Sequence, residues 1–381
     1  MDKRIRLGYV CSWKSGWLGG FYYTQNLLHA LNTLDESEKP IVDINCLDEN
    51  IYEELKNNTH YPYLEKTIIK QSFWKRVIRW LLRQISPKMS CCIDVYGVNQ
   101  FNDVIFPWIY GSKSNKLIYW KPDFQEKHLP YYFSDEDIKL RTRHIHEVCM
   151  RCIPIIFSSQ DSRSDFEYFF PQYKHVPTYV VRFAAYLPDF SDVNIDELKK
   201  KYNIKNNYLF CANQFWQHKN HLFLFRAFHK ALKKGLKLQL VCTGNMSDYR
   251  SPEYTKAIRD FITLNNLKHD ILTLGIIDKK ELLCLMKNSY AVIQPSLFEG
   301  WNTTVEDCKA MNKFVFLSNL SVHIEQMEQY ENVCFFDPQN EDDLVNKLLS
   351  EKPYEVFYDY SNCVKQFGND FYNVINRRIM R

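Results

Sequence analysis

The feature that most restricts what this chain can fold into is an alternation of short apolar segments with amphipathic helical segments, and that alternation runs twice. Ile5 to Val10 reads as a buried strand, followed by a glycine-containing loop, Ser12–Gly20, and a helix with apolar periodicity through Tyr22, Leu27, Leu28 and Leu31. Further strands are expected at Val42–Leu47, Asp103–Pro107, Lys116–Trp120, Ile153–Ser158 and Tyr179–Phe183, with helices near Ile138–Met150 and Asp161–Phe169. After the polar stretch Asp189–Asn207 the series restarts with strand Tyr208–Ala212 and helix His221–Lys233. Strands Leu238–Thr243, Ile271–Leu274, Ala291–Gln294 and Phe314–Leu317 then alternate with helices near Tyr254–Asn265, Lys279–Asn288 and Val305–Met311. Strands separated by helices imply parallel sheets covered on both faces, so the expected class is α/β with two doubly wound domains. The boundary falls within Leu187–Asn207, giving domains 1–187 and 188–364. The segment 365–381 spaces Phe367, Phe371, Val374 and Ile375 along one helical face and is expected to pack back, the first domain being the favoured partner.

Bulk properties agree with two soluble cores. A length of 381 residues exceeds what one hydrophobic core ordinarily serves. The balance of 49 basic against 45 acidic residues argues against nucleic acid as a partner. Twelve cysteines lack the spacing of a small secreted domain, which favours a reducing, cytoplasmic setting. Cys149 and Cys152 form a C-x-x-C within a helical pattern, unanswered by a second pair, and are read as buried thiols. No apolar run approaches the ~20 residues of a membrane-spanning helix.

The residues that carry chemistry concentrate between Pro295 and Asp307, where a strand ends and a loop runs into a helix. Such a loop presents unpaired backbone N–H groups and the positive end of a helix, which suits a phosphate or a sugar hydroxyl. Glu299 and Asp307 stand at its two ends with seven residues between them, and a carboxylate can grip a vicinal diol. Taken alone, acidic residues at a helix start also serve as ordinary caps.

The stretch Phe298 to Met311 resembles the signature of family-4 glycosyltransferases, an E-x7-E motif in a Glu-Gly-aromatic loop. That resemblance implies the GT-B fold: two Rossmann-like domains with parallel sheets facing across a cleft. It also implies that Glu299, Gly300, Trp301, Asn302, Thr303 and Thr304 contact the donor sugar and diphosphate. Glu306 or Asp307 then holds the ribose, the second acidic position falling on Asp307 with Glu306 immediately before it. The resemblance extends to Asn213-Gln214-Phe215-Trp216-Gln217-His218-Lys219, where Lys219 matches the family's diphosphate-neutralising lysine and Gln214 stands in place of its arginine. Leu274-Gly275-Ile276-Ile277 looks like the family's nucleobase turn, and Thr243-Gly244 closes a strand at the same end of the sheet. Gly19 and Gly20 match the first-strand loop that approaches the donor phosphate and sugar. His218 and His221 are three apart, unlike a helical zinc pair, and are read as structural.

Many family members carry a histidine roughly where this chain has Pro122. Asp123 and His128 are the polar candidates left to orient the acceptor or support the reacting centre, each weighed equally against a capping or turn role. Asp135-Glu136-Asp137 is read as capping charge at a helix start rather than as a metal-binding D-x-D. Lys75, Arg76, Arg79 and Arg83 fall on one side of a helical projection of Phe73–Ile85. That basic face fits an anionic membrane surface or, equally, the solvated side of a domain helix.

These readings combine into a retaining, metal-independent hexosyltransferase without a bound cofactor. Its co-substrate is a nucleotide-diphosphate sugar, and its acceptor a hydroxyl of a growing surface glycan or lipid-linked saccharide. The rivals are an inactive sugar-nucleotide or glycan-binding protein of the same fold, and a nucleotide-sugar epimerase or a phosphorylase on the same architecture.

Overall fold

The computed structural model describes residues 4–11, 18–68, 74, 77, 78, 81, 101–107, 114–248 and 250–380. They divide into two compact units, the first within Met1–Phe124, Asp135–Tyr186 and Ser361–Arg381, the second comprising Gln125–Ser134 and Leu187–Tyr360. The segment 125–134, expected in the N-terminal domain, therefore belongs to the second unit.

In the first unit, β1 (Arg6–Cys11), β2 (Ile41–Cys46), β3 (Leu64–Ile68) and β4 (Val104–Phe106) form a sheet in the order β3-β2-β1-β4. A second sheet has the order β5-β6-β7, from β5 (Tyr119–Lys121), β6 (Ile155–Phe157) and β7 (Thr178–Val180). A parallel bridge between Ile105 and Leu117 links the two. Helix Ser361–Ile379 buries Phe367, Phe371, Val374 and Ile375, the face expected from their spacing. It lies against helix Leu18–Asn32, and Gly368 makes this possible: a Cβ there would stand 2.3 Å from the carbonyl oxygen of Ala30. The rings of Phe367 and Phe371 join an aromatic cluster in which Tyr23 stacks on Trp120 at 4.2 Å and Phe371 meets Phe106 edge-on at 5.0 Å. Each such buried ring contributes roughly 1.5–3 kcal/mol through burial alone.

The second unit has one six-stranded parallel sheet: β8 (Tyr208–Ala212), β9 (Gln239–Thr243), β10 (Ile271–Thr273), β11 (Ala291–Gln294), β12 (Val315–Ser318) and β13 (Val333–Phe336). Its order is β10-β9-β8-β11-β12-β13. Alternate residues serve two cores. Leu209, Cys211, Leu240, Cys242, Ala291 and Ile293 pack on one face, while Tyr208, Phe210, Val241, Val292, Val315 and Leu317 pack on the other. Burial on both faces explains why these strands are apolar throughout. The order reverses between β8 and β11, and ligands of open α/β sheets bind at the carboxyl ends of strands at such a switch point.

Several elements depart from the sequence reading. Strands β3 and β13 and helices Glu49–Thr59, Ile195–Lys201, Ser321–Gln326 and Glu341–Ser350 were not anticipated. The helix expected from Val305 begins at Thr303, because Asn302 caps it by accepting from the N–H groups of Thr304 and Val305. Cys149 is buried as expected, but Cys152 is exposed. It lies past the end of helix Asp135–Met150 with φ 49°, in a turn where Ile153 N donates to Val148 O, and this left-handed step swings its side chain outward. Asp135, Glu136 and Asp137 form the first turn of that helix. Among the described residues no helix is long and apolar enough to cross a membrane, and no group of three or more His, Cys, Asp or Glu residues is arranged to hold a metal ion.

Candidate active site

The carboxyl ends of β8 and β11 set the site. Gln294 ends β11 fully buried, and its Oε1 accepts from Asn213 Nδ2 at 2.7 Å, tying the two strand ends together across the switch point. Thr304 Oγ1 donates to Ala212 O at 3.0 Å and so fixes the start of helix Thr303–Ala310 over β8. Gly244 follows β9 with φ 125°, and a Cβ there would lie 2.1 Å from the carbonyl oxygen of Asn213. No other residue permits this close approach of backbones.

Glu299 is the hub. Its Oε1 accepts from Lys219 Nζ at 2.6 Å, Ser296 Oγ at 2.6 Å and Asn302 Nδ2 at 3.2 Å. The pair is largely withdrawn from water, with 15% and 9% of the Lys219 and Glu299 side chains exposed. Asn302 has a double duty: its Oδ1 caps the helix while its Nδ2 points at Glu299. Behind it, His323 is fully buried, with Nδ1 2.9 Å from Ser318 O and Nε2 3.5 Å from Asn302 Nδ2. Burial lowers the His323 pKa to about 4, so the ring is neutral at physiological pH. A carbonyl accepts only, so Nδ1 carries the proton and Nε2 turns its lone pair to Asn302.

The adjacent acidic residues part company. Glu306 accepts at Oε1 from Gln326 Nε2 at 2.7 Å and from Lys309 Nζ at 3.3 Å, and at Oε2 from the hydroxyl of Tyr360. Both its oxygens are committed to holding the domain together. Asp307 pairs with Lys279 Nζ through Oδ2 at 2.7 Å. Burial raises the Asp307 pKa, and the charge of Lys279 opposes the rise. Lys279 closely follows the turn Gly275-Ile276-Ile277, where Gly275 has φ 74°, Ile276 is exposed and Ile277 packs against the core. The ion pair therefore joins the acidic motif to the expected base turn.

Other expected residues lie as follows. Gln214 Oε1 accepts from Asn245 N at 2.8 Å, so this residue braces the turn after β9. Thr243 is buried, its carbonyl accepting from Asn213 N at 3.2 Å. Gly300 and Trp301 are buried in the loop, and Thr303 is partly exposed. His128, in the second unit, is exposed with its ring 5.2 Å from that of Phe298, beside the acidic loop. Asp123 belongs to the first unit, after β5, and Gly19 and Gly20 open its first helix. Lys75, Arg76, Arg79 and Arg83 lie outside the described residues. Sequence reasoning did not single out Gln294, Ser318, His323 or Gln326. The available signal was a polar residue ending an apolar strand and an His-x-x-Gln on the short helix after β12.

Comparison with known proteins bears on the fold and on the C-terminal part of the chain. The model of the family "Glycosyl transferases group 1" matches residues 194–352. The O-antigen chain mannosyltransferase RfbU of Salmonella typhimurium is 23% identical over 191 residues, spanning 47% of this chain and 51% of the relative, about half its length. Among solved structures, Anabaena Alr3699/HepE in complex with UDP-glucose superposes with a TM-score of 0.61 at 13% identity, covering 99% of this chain and 96% of that one. A glycosyltransferase from Rickettsia africae ESF-5 gives 0.60 at 14% identity, covering 99% and 94%. At these identities the structures speak for the fold. Residues 194–352 therefore match the model of the glycosyl transferases group 1 family, and the chain has the GT-B fold of two Rossmann-like domains.

Proposed function

We propose that this chain is a retaining hexosyltransferase of family-4 type, moving a sugar from a nucleotide-diphosphate donor to a hydroxyl of a glycan or lipid-linked saccharide. One observation carries the reading: the Lys219–Glu299 pair, held by Ser296 and Asn302 beside the N-terminus of helix Thr303–Ala310, at the switch point of the second sheet. A donor diphosphate bound there meets a cation and the positive helix end, which stabilise the charge that grows as the sugar's C1–O bond breaks. Glu299 then exchanges part of its contact with Lys219 for donor-sugar hydroxyls. Asn302, oriented by His323, holds the carboxylate in place. Asp307, next to the base turn, takes the ribose diol, and Glu306 remains structural.

His128 lies against the acidic loop and is assigned to the acceptor side; Asp123 is assigned to the same task from the first unit. Gly19 and Gly20 are assigned to backbone contacts with the donor. No metal or bound cofactor enters this scheme. The donor reading draws on HepE, crystallised with UDP-glucose, and the acceptor reading on RfbU, named for O-antigen chain transfer. A peripheral membrane contact of the 73–85 region is part of the proposal. Trp74, Ile78 and Leu81 are exposed and recur in the sequence at helical spacing, and the projection of the sequence sets the four basic residues on the other side.

The test is a thermal-shift screen with UDP, GDP and their sugars, followed by transfer of labelled sugar to a glycan acceptor. A donor raises the melting temperature of a chain that binds it. No shift with any nucleotide and no transfer would remove the proposal, and conversion of free donor in the absence of acceptor would replace it with epimerisation.

A further inference from the structure

A polar cavity of about 170 Å³ lies in the second unit, and none of the donor groups Lys219, Glu299 or Asn302 lines it. Three pieces of chain build it: Tyr131 and Tyr132, the turn at Gln217 and His218, and the stretch after β9 that carries Arg250 and Glu253. Asp248 ties two of these together, accepting from Gln217 N through Oδ2 and from Arg250 N through Oδ1, both at 3.0 Å. The Arg250 guanidinium is held between aromatic rings, 5.2 Å from the centroid of Trp216 and 5.5 Å from that of Phe133. The walls are thus braced by a buried carboxylate and by cation–π contacts.

One wall is polar and under-used. His218 is only 5% exposed, yet its Nδ1 is buried with no hydrogen-bond partner among the described residues. A buried polar atom without a partner is unfavourable, and the residue that carries it lines the cavity. Burial, reinforced by Lys219 and Arg250, lowers its pKa well below the ordinary range, so the ring offers one donor and one acceptor, as a sugar hydroxyl requires. Tyr132, its pKa raised to about 12 by burial, stays a hydroxyl donor. Tyr131 is 71% exposed and sets its ring edge-on to Tyr132 at 4.5 Å, leaving an aromatic face at the rim. Tyrosines beside a guanidinium, a carboxylate and a neutral imidazole match a polyol with one apolar ring face, and carboxylates in the walls disfavour a phosphate.

We infer that this cavity is a saccharide subsite that holds one pyranose ring of the acceptor, its hydroxyls facing His218, Tyr132 and Glu253 and its apolar face against Tyr131. The word acceptor rests on the glycosyltransferase reading; sugar binding by the cavity does not. The same ring chemistry has two sources, the donor's sugar and the acceptor's, and the absence of donor groups from the walls selects the acceptor.

Saturation-transfer NMR on the full chain, with the methyl α-pyranosides of mannose, glucose and galactose as probes, tests this. At least one probe is expected to bind, and to remain bound when UDP-glucose or GDP-mannose is present at saturation. Tyr131→Ala is expected to weaken that binding roughly tenfold, with an unchanged melting temperature and an unchanged thermal shift on adding nucleotide. His218→Ala serves as the interior variant, and Tyr131→Phe, which keeps the ring, is expected to restore binding. Displacement of the probe by the nucleotide sugar would assign the cavity to the donor and overturn the inference. Absence of transfer to all three probes, or equal binding by Tyr131→Ala, would also overturn it. A chain that binds the probe but no nucleotide defeats the transferase reading and leaves the cavity's sugar binding in place.

Discussion

The two units share a plan, with a central strand flanked on one side by the next two and on the other by the fourth, but they fill the switch point differently. Between β1 and β4 the first unit places Tyr9, Tyr23, Phe106 and Trp120, an aromatic cluster completed by Phe367 and Phe371 from the C-terminal helix. Apart from the Thr24 hydroxyl that donates to Tyr9 OH at 3.0 Å, its buried polar network is elsewhere: Asp43 on β2 accepts from Thr67 Oγ1 at 2.8 Å and from Asn102 Nδ2 at 3.1 Å. Between β8 and β11 the second unit instead buries Asn213, Gln294, Asn302 and His323. Burying amides and imidazole is costly unless each is bonded, and a fold that needed only stability would use rings there too. The contrast is one of polarity: the second switch point has the buried polar groups that the proposed donor site requires, whereas the described part of the first is lined chiefly by rings.

The strongest way to break this comparison is to remove a charge from the polar switch point. Lys219→Ala is expected to lower turnover by about 10²–10³-fold, as for loss of one oriented electrostatic donor. Some loss of melting temperature should accompany it, because the largely buried Glu299 keeps its bonds from Ser296 and Asn302 but loses its cation, so turnover is read on the folded enzyme. The counterpart in the aromatic unit, Phe106→Ala, is expected to act through stability instead, costing about 3–5 kcal/mol. Paired melting curves and single-turnover transfer assays check both. A Lys219→Ala enzyme at wild-type turnover would show that the polar switch point is structural too.

A second test uses one glycine from each unit. At Gly244 and at Gly368 an added Cβ would meet a backbone carbonyl oxygen, at 2.1 and 2.3 Å. Each alanine variant is expected to lose about 3 kcal/mol of stability, since backbone must shift in either case. Gly244→Ala, with its φ of 125°, is expected also to abolish the nucleotide-induced thermal shift, and Gly368→Ala to leave that shift intact. Gly235 has φ 101° but open space around it, so Gly235→Ala should cost only about 1–2 kcal/mol.

Acid distinguishes the units less sharply. His323 in the second unit, and His29 and His144 in the first, each have a pKa lowered to about 4, chiefly by burial. Between that value and the ordinary 6.5 the unfolded chain binds more protons than the folded one, so stability falls as pH falls through this window. Fully buried His323 alone contributes on the order of 2 kcal/mol of loss between pH 7 and pH 5. His323→Asn is expected to flatten the dependence of melting temperature on pH over that range. It should also reduce turnover at pH 7, where the ring is neutral, through the loosened Asn302. An unchanged slope would mean that the folded and unfolded rings take up their proton over the same pH range.

What was legible in the sequence follows the same line. The E-x7-D spacing and Lys219 could be read because contiguous segments carry them, and the strand series could be read because parallel strands are apolar throughout. The partners of Asn302 were not legible, since Gln294, His323 and Gln326 reach it from different elements and look like ordinary polar residues one at a time. Strand β3, Leu-Glu-Lys-Thr-Ile, has exposed and half-buried residues and so lacked the apolar run by which the others were found. The membership of 125–134 in the second unit was equally hidden, because it depends on tertiary packing of Tyr131, Tyr132 and Phe133 around Arg250.

The smallest expected effect is the most discriminating, because it separates two neighbours that sequence alone left equivalent. Glu306 spends both carboxylate oxygens on Gln326, Lys309 and Tyr360, and Lys309 is itself only 8% exposed in its side chain. Glu306→Gln replaces an acceptor oxygen with a donor in a buried network and leaves the Lys309 charge unpaired, so its cost should appear as lowered melting temperature. Asp307 has one partner, Lys279, and among the described residues no donor reaches its Oδ1. Asp307→Asn should therefore be mild toward stability, and it should weaken nucleotide binding about tenfold through the lost ribose contact, with turnover at saturating donor little changed. Isothermal titration with a nucleoside diphosphate and with the corresponding 2′,3′-dideoxy form decides the point. Wild type should discriminate between the two and Asp307→Asn should not. If Glu306→Gln instead removes the discrimination while Asp307→Asn preserves it, the ribose is held by Glu306, and the bonds that now occupy that carboxylate belong to the ligand-free state alone.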